Sequence, residues 1–204
     1  MITQASARIY QIWGSGDSEE TPRFRFGKLR YPHFNRSSKQ VDWCEFYKGV
    51  KLPKNHARHL EWRILEKGGP QVQDFAQFFM GWTLMSRKLR TLLRESSQKV
   101  SYQWIEPMVV YPRGFARVQY RWFNALTHVS CLDFDESEVV FNEGGSLDDV
   151  RKLVVKSQTL ENICGIFRLR EFPLILLMSG EIHDLFANHG ITGYEAKLIP
   201  VTCR

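Results

Sequence analysis

Two histidines stand three apart in His56-Ala57-Arg58-His59. On a helix they would lie one turn apart, where two imidazoles can share a metal ion. A structural metal site needs about four ligands. The cysteines at 44, 131, 164 and 203 form no C-x-x-C pair to supply the rest. Solvated histidines are therefore the expectation. His128 and Cys131 make a second pair, but a nucleophilic thiol needs a base beside it and an activating environment. On a strand, residues three apart point to opposite faces, which counts against that chemistry. Glu143-Gly144-Gly145-Ser146 lacks the Gly-Lys-Ser/Thr ending of a phosphate-binding loop and reads as a turn. Asp133, Asp135, Glu136 and Glu138 offer hard oxygen ligands without the glycine and ligand order of a calcium loop. An acidic solvated or partner-facing loop suits them better. The expectation is a protein with no catalytic residues, no metal and no cofactor.

Charge carries more information. The chain has a formal net charge of +6, unevenly spread. Residues 21–67 hold 12 Lys/Arg against 4 Asp/Glu, and residues 68–130 hold 8 against 3. Residues 131–161 reverse this, with 8 acids against 3 bases. In the first segment Arg23, Arg25, Lys28, Arg30, Tyr31, Phe34, Arg36 and Lys39 interleave cations with rings. That mixture suits single-stranded nucleic acid, where cations meet phosphates and rings stack on bases. It suits a protein interface equally, because Arg, Tyr and Trp are enriched as anchors there. No RNA-recognition, zinc-finger or homeodomain signature accompanies it. Arg23, Arg25, Lys28, Arg30 and Tyr31, together with Asp133, Asp135, Glu136 and Glu138, are the candidate partner-binding residues.

Such residues need elements to hold them. Residues 7–13 alternate and carry β-formers, which predicts a first strand. Phe24 and Phe26 alternate with Arg23 and Arg25, as on an edge strand. Lys67-Gly68-Gly69-Pro70 is the natural break between a basic, aromatic N-terminal part (1–69) and the rest (70–204). Val72, Phe75, Phe78 and Phe79 lie near one helical face, and the run also suits a partly extended segment. Leu89, Leu92 and Leu93 predict an amphipathic helix over 87–95, capped by Ser86. Residues 103–110, 117–126 and 139–141 read as extended, and 147–155 as a helix behind Ser146. Residues 163–168 and 174–178 predict strands. A Ser179-capped helix with Ile182, Leu185 and Phe186 follows, ended by Gly190 with Ile191 folding back. A strand interrupted by Pro200 closes the sequence.

Two regions echo each other. Leu84-Met85-Ser86 aligns with Leu177-Met178-Ser179. Leu89, Leu92 and Leu93 align with Ile182, Leu185 and Phe186, and Ile105 and Pro107 with Leu198 and Pro200. Every pair is 93 residues apart. The fold expected is α+β: a mixed, largely antiparallel sheet with a few packed helices. Two similar strand-helix-strand units and a chance match are both open.

At 204 residues the chain can bury about 70% of its unfolded surface. Hydrophobic residues at 43% and charged residues at 25% exclude disorder and collagen-like repeats. The longest uncharged apolar run, Phe172 to Met178, is too short to span a bilayer, and Met1 to Gln4 opens no secretory signal. A cytoplasmic protein with reduced cysteines and no membrane partner is expected.

The order of features from 70 to 202 resembles bacterial immunity proteins that accompany polymorphic or contact-delivered (type VI-like) toxins. An aromatic segment, Phe75 to Trp82, precedes Leu84-Met85-Ser86 and its helix. Trp104 to Pro112, aromatic strands around Tyr120 to Phe123 and an acidic stretch follow. Ile166-Phe167-Arg168, Leu177-Met178-Ser179 and Gly190-Ile191-Thr192-Gly193 running to Pro200 form the most specific ending. The resemblance implies a protein that binds a cognate toxin and neutralises it, and it carries over no catalytic residue. A nucleic-acid-binding module using the basic segment is the alternative, and would bind with steep salt dependence. An enzyme would instead need a deep pocket with convergent polar groups.

Overall fold

The computed structural model describes residues 7–14, 47–53, 61–63, 73–78, 82–106, 108–110 and 119–203. The elements in chain order are β1 (Ile9–Gly14), β2 (Glu61–Arg63), β3 (Phe75–Phe78), β4 (Trp82–Met85), α1 (Arg87–Glu95), β5 (Tyr102–Ile105), β6 (Met108–Val110) and β7 (Arg121–Ala125). Then come β8 (His128–Val129), β9 (Glu138–Phe141), β10 (Leu147–Lys152), β11 (Val155–Lys156), β12 (Ile166–Leu169), β13 (Leu176–Ser179), α2 (Gly180–Asn188), β14 (Tyr194–Ile199) and β15 (Val201–Thr202). Among the described residues the fold is α+β, mostly strand, with mixed sheets and two α-helices.

A five-stranded sheet has the order β14-β1-β13-β12-β8, and a four-stranded antiparallel sheet the order β3-β4-β7-β5. In the first, β1 lies between β14 and β13, with Ile9 opposite both Ile199 and Ser179. Its faces are both buried. Ile12, Leu176, Met178 and Ile166 meet Leu89 and Leu93 of α1, Ile182 and Phe186 of α2, and Phe75, Met85 and Phe123 of the other sheet. Ile9, Leu177, Phe167 and Leu169 face a second core, closed by Cys131, Leu132, Leu153 and Val155. Two-sided burial explains why these strands read as apolar runs rather than clean alternation.

The two sheets meet at a seam of hydrogen bonds. Phe75 N–H donates to Thr192 O at 2.9 Å, and Asp74 N–H to Thr192 Oγ1 at 3.2 Å. Ser86 Oγ donates to Asp74 Oδ1 at 2.6 Å while accepting from Leu89 N–H at 3.1 Å. Ser86 therefore caps α1 as the sequence predicts and ties its start to the seam.

Two expectations need correction, and one open reading is decided. Residues 147–155 hold β10 and β11 rather than a helix. The apolar spacing misleads because register shifts between Leu147/Asp149 and Val150/Lys152 break the strand's alternation, so Leu147 and Val150 both pack inward. Asn142 Oδ1 takes the N–H groups of Gly144 and Ser146, both at 3.0 Å, closing a hairpin where a helix start was expected. Of the two readings open for the run from Phe75, the extended one holds: Phe75 to Phe78 is a strand paired with β4. Ser179 stands at the start of α2, but its Oγ accepts from Gly165 N–H at 3.1 Å instead of capping the helix. The end of α2 is as read: Gly190 has φ 55°, and Ile191 folds back, donating to Phe186 O at 3.0 Å.

Candidate partner-binding surface

Asp133 is the buried member of the acidic set. Its Oδ2 accepts from Thr202 Oγ1 at 2.6 Å and its Oδ1 from Asp135 N–H at 3.2 Å. The Thr202 hydroxyl, then the Asp135 amide, hold its carboxyl below the usual range against the opposing effect of burial. Its backbone N–H donates to Val154 O at 2.9 Å, and Ser137 Oγ both donates to Val154 O and accepts from Val154 N–H. These bonds pin the turn 133–137 to the body. Asp133 is thus a bracket, while Asp135, Glu136 and Glu138 are exposed residues.

The hairpin that follows adds exposed Glu143, Asp148 and Asp149. Between residues 133 and 152 there are seven acids and two bases, Arg151 and Lys152. Phe134 and Phe141 sit in this field, 48% and 52% exposed, with ring centroids 6.5 Å apart and planes within 16°. Sequence reasoning missed this pair. Phe141 reads as an apolar strand residue, yet it is half-exposed at the end of β9.

The basic candidates Arg23, Arg25, Lys28, Arg30 and Tyr31 lie outside the described residues, as do His56 and His59. A basic surface does appear on α1, from Arg87, Lys88, Arg90 and Arg94. Arg90 donates to Gln119 O at 2.7 Å and lies 5.9 Å over the Trp104 ring. Burial, then repulsion from Arg121, Arg87 and Arg94, lowers its pKa. A shallow groove beside it is lined by Arg87, Lys88, Thr91, Leu92, Glu95 and His189.

His128 and Cys131 form no activated pair. Burial, then the Glu171 charge, pushes the Cys131 thiol up to about 12, which keeps it protonated. His128 pairs in register with Arg168 and packs its ring against Gly49. Among the described residues no three His, Cys, Asp or Glu side chains gather as a metal site, and no helix is long and apolar enough to cross a membrane.

What this surface offers is recognition by charge and ring: an α+β body with an acidic hairpin on one side and a cationic helix on another. The chain belongs to the immunity protein family Imm11, whose family model matches residues 18–198. The match therefore takes in most of the basic segment as well as the part after residue 70. No curated protein matches the chain.

Proposed function

We propose that the protein binds a cognate bacterial toxin in the cytoplasm and neutralises it by occluding its active site, with no chemistry of its own. The toxin would be a polymorphic or contact-delivered one, of the type VI kind. Membership of the immunity family over residues 18–198 carries this reading. The basic set from Arg23 to Tyr31 and the acidic set Asp135, Glu136 and Glu138 are the proposed contacts, with Asp133 holding the latter in place. Charged faces of this kind accelerate capture, which matters when a toxin must be stopped early.

The test is capture of tagged protein from its own cells, or from cells co-expressing the toxin, at two salt concentrations with nuclease present. One near-stoichiometric protein that survives both supports the reading. Partners lost with nuclease or salt would favour a nucleic-acid module instead. Occlusion is tested separately, by asking whether a substrate analogue of the captured toxin competes with the immunity protein.

We further propose that the fold contains two copies of one unit. The strand order β3-β4-β7-β5 parallels β12-β13-β1-β14, and α1 and α2 each follow their strand at a 93-residue spacing. Register refines the echo: Phe75 opposite Met85 matches Ile166 opposite Met178, with the methionines 93 apart and their partners 91 apart. On this reading β1 belongs to the second unit. A variant with residues 7–14 moved behind residue 203 on a short flexible linker should fold, since Ile9 lies opposite Ile199. An unfolded variant would count against the unit.

A further inference from the structure

The exposed ring pair on the acidic hairpin is the least expected feature of the described surface. Aromatic side chains normally supply core area, and this chain buries Phe75, Phe123, Phe167 and Phe186 completely or nearly so. Phe134 and Phe141 are instead half-exposed and almost parallel. They come from different elements, the turn 133–137 and the end of β9, so their approach is built by the fold.

The mounting is rigid. Beneath the rings, Val139, Leu147 and Val150 pack on the second core, beside buried Leu132 and Leu153. The Thr202 hydroxyl on Asp133, the Ser137–Val154 pair and the Asn142 loop closure fix the turn and the hairpin tip. An anchor held in place before binding loses little conformational freedom on docking. Aromatic anchors surrounded by polar residues are also the usual pattern of binding hot spots.

The surrounding charge says what covers the rings. The segment 133–152 is net −5 in a chain that is net +6 overall. Phosphate backbones and anionic lipid are repelled by such a face. A protein surface with lysines and arginines around an apolar socket is complementary to it.

We infer that the Phe134–Phe141 pair is the anchor by which this protein seats on a basic, apolar-centred face of its toxin. The flanking carboxylates steer the approach. This rests on the toxin-binding reading above and adds which surface does the binding and what the toxin presents to it.

The experiment uses the full chain and the captured toxin, purified in a catalytically dead form, with binding followed by calorimetry and stopped flow. Phe134→Ser with Phe141→Ser should weaken binding about 100-fold, mainly by faster dissociation. The conservative F134Y/F141Y should stay within about threefold, because it keeps the ring area. Asp135→Lys with Glu138→Lys should slow association about tenfold at low salt and flatten its salt dependence. Leu198→Ser, at an exposed apolar residue elsewhere, should change affinity less than twofold. The urea midpoint of each variant shows that it remains folded. Tight toxin binding that is unchanged in the double serine variant would overturn the anchor and leave the toxin reading standing. A wild-type chain that binds no toxin would overturn both.

Discussion

Gly193 and Gly190 stand three residues apart, both with positive φ, and substitution should separate them sharply. Gly190 has φ 55°, and a Cβ built there meets nothing within 4 Å. Gly190→Ala then carries only the left-handed backbone cost, about 1–2 kcal/mol. Gly193 has φ 88°, and a Cβ there would fall on the Phe75 carbonyl oxygen and 2.6 Å from Gln73 Cβ. These neighbours belong to the seam, where Phe75 N–H reaches Thr192 O and Asp74 meets the Thr192 hydroxyl. Backbone cannot swing aside as a long side chain can. Gly193→Ala should add about 1–3 kcal/mol of overpacking to the backbone cost, giving about 2–5 kcal/mol in all. Urea unfolding followed by tryptophan fluorescence measures both variants on one scale. The gap between them should be at least about 1 kcal/mol, a shift in midpoint at unchanged slope. Equal losses would mean that the seam yields freely and that the two sheets are not clamped there.

Further outcomes follow from the same geometry. Ser86→Ala should cost about 1–2 kcal/mol by uncapping α1 and releasing Asp74, and a Thr at 86 should recover part of it. Ser179→Ala should cost a similar amount for a different reason, the buried Gly165 N–H left without an acceptor, so helix propensity changes in α2 should not rescue it. Arg168 is 1% exposed, donates to Pro173 O at 2.6 Å and lies 5.1 Å over the Tyr47 ring, and burial lowers its pKa to about 10, still charged at neutral pH. Arg168→Ala should cost about 2–4 kcal/mol and Arg168→Met clearly less, since the void disappears with the charge; chemical denaturation ranks them. Burial, then Arg168 and Arg170, depress the His128 pKa, so the unfolded chain takes up this proton first as pH falls. Stability should decline as pH drops below about 6.5, and His128→Gln should remove that slope. Asp133 and Asp184 contribute in a separate window: their depressed pKa values stabilise the fold above about pH 4 and lose that effect in stronger acid.

Local chemistry was readable where local bonds decide the outcome. Ser86 lies before an i, i+3, i+4 leucine pattern, and the cap is there. Gly190 with Ile191 closes α2 through its own neighbours. Ser179 has the same local setting as Ser86, yet its hydroxyl goes to Gly165, fourteen residues earlier in the chain. No window of sequence contains that competition. The segment 147–152 fails for a related reason: a bulged strand and a helix both space apolar residues by three. The acidic candidates were legible as a charge reversal, but their division into a buried bracket, Asp133, and exposed carboxylates depends on Thr202, 69 residues away. The ring pair was invisible because Phe134 and Phe141 belong to different elements, and only the tertiary fold brings their rings to 6.5 Å.

The placement of β1 limits how the acidic hairpin can form. This strand pairs along its whole length with β14, and Arg8 bonds Asp184 at 2.5 Å, 176 residues on. It also receives Gly180 N–H at Arg8 O, at 2.8 Å, which stands in for the absent serine cap on α2. The first and last strands therefore complete one sheet together, and closing so long a loop delays folding. The acidic hairpin rests on the core behind that sheet, through Ile9, Leu177 and Ile199. Among the described residues its own strands, β9 and β10, pair only with each other, and an isolated hairpin is marginal in water. The hairpin should thus acquire its fixed form only once β1 and β14 have met. Residues 15–203 without β1 should lose hydrogen-exchange protection at Val139 and Val150 as fully as at Leu177. Retained protection at the hairpin alone would show that the surface folds independently of the sheet that carries it.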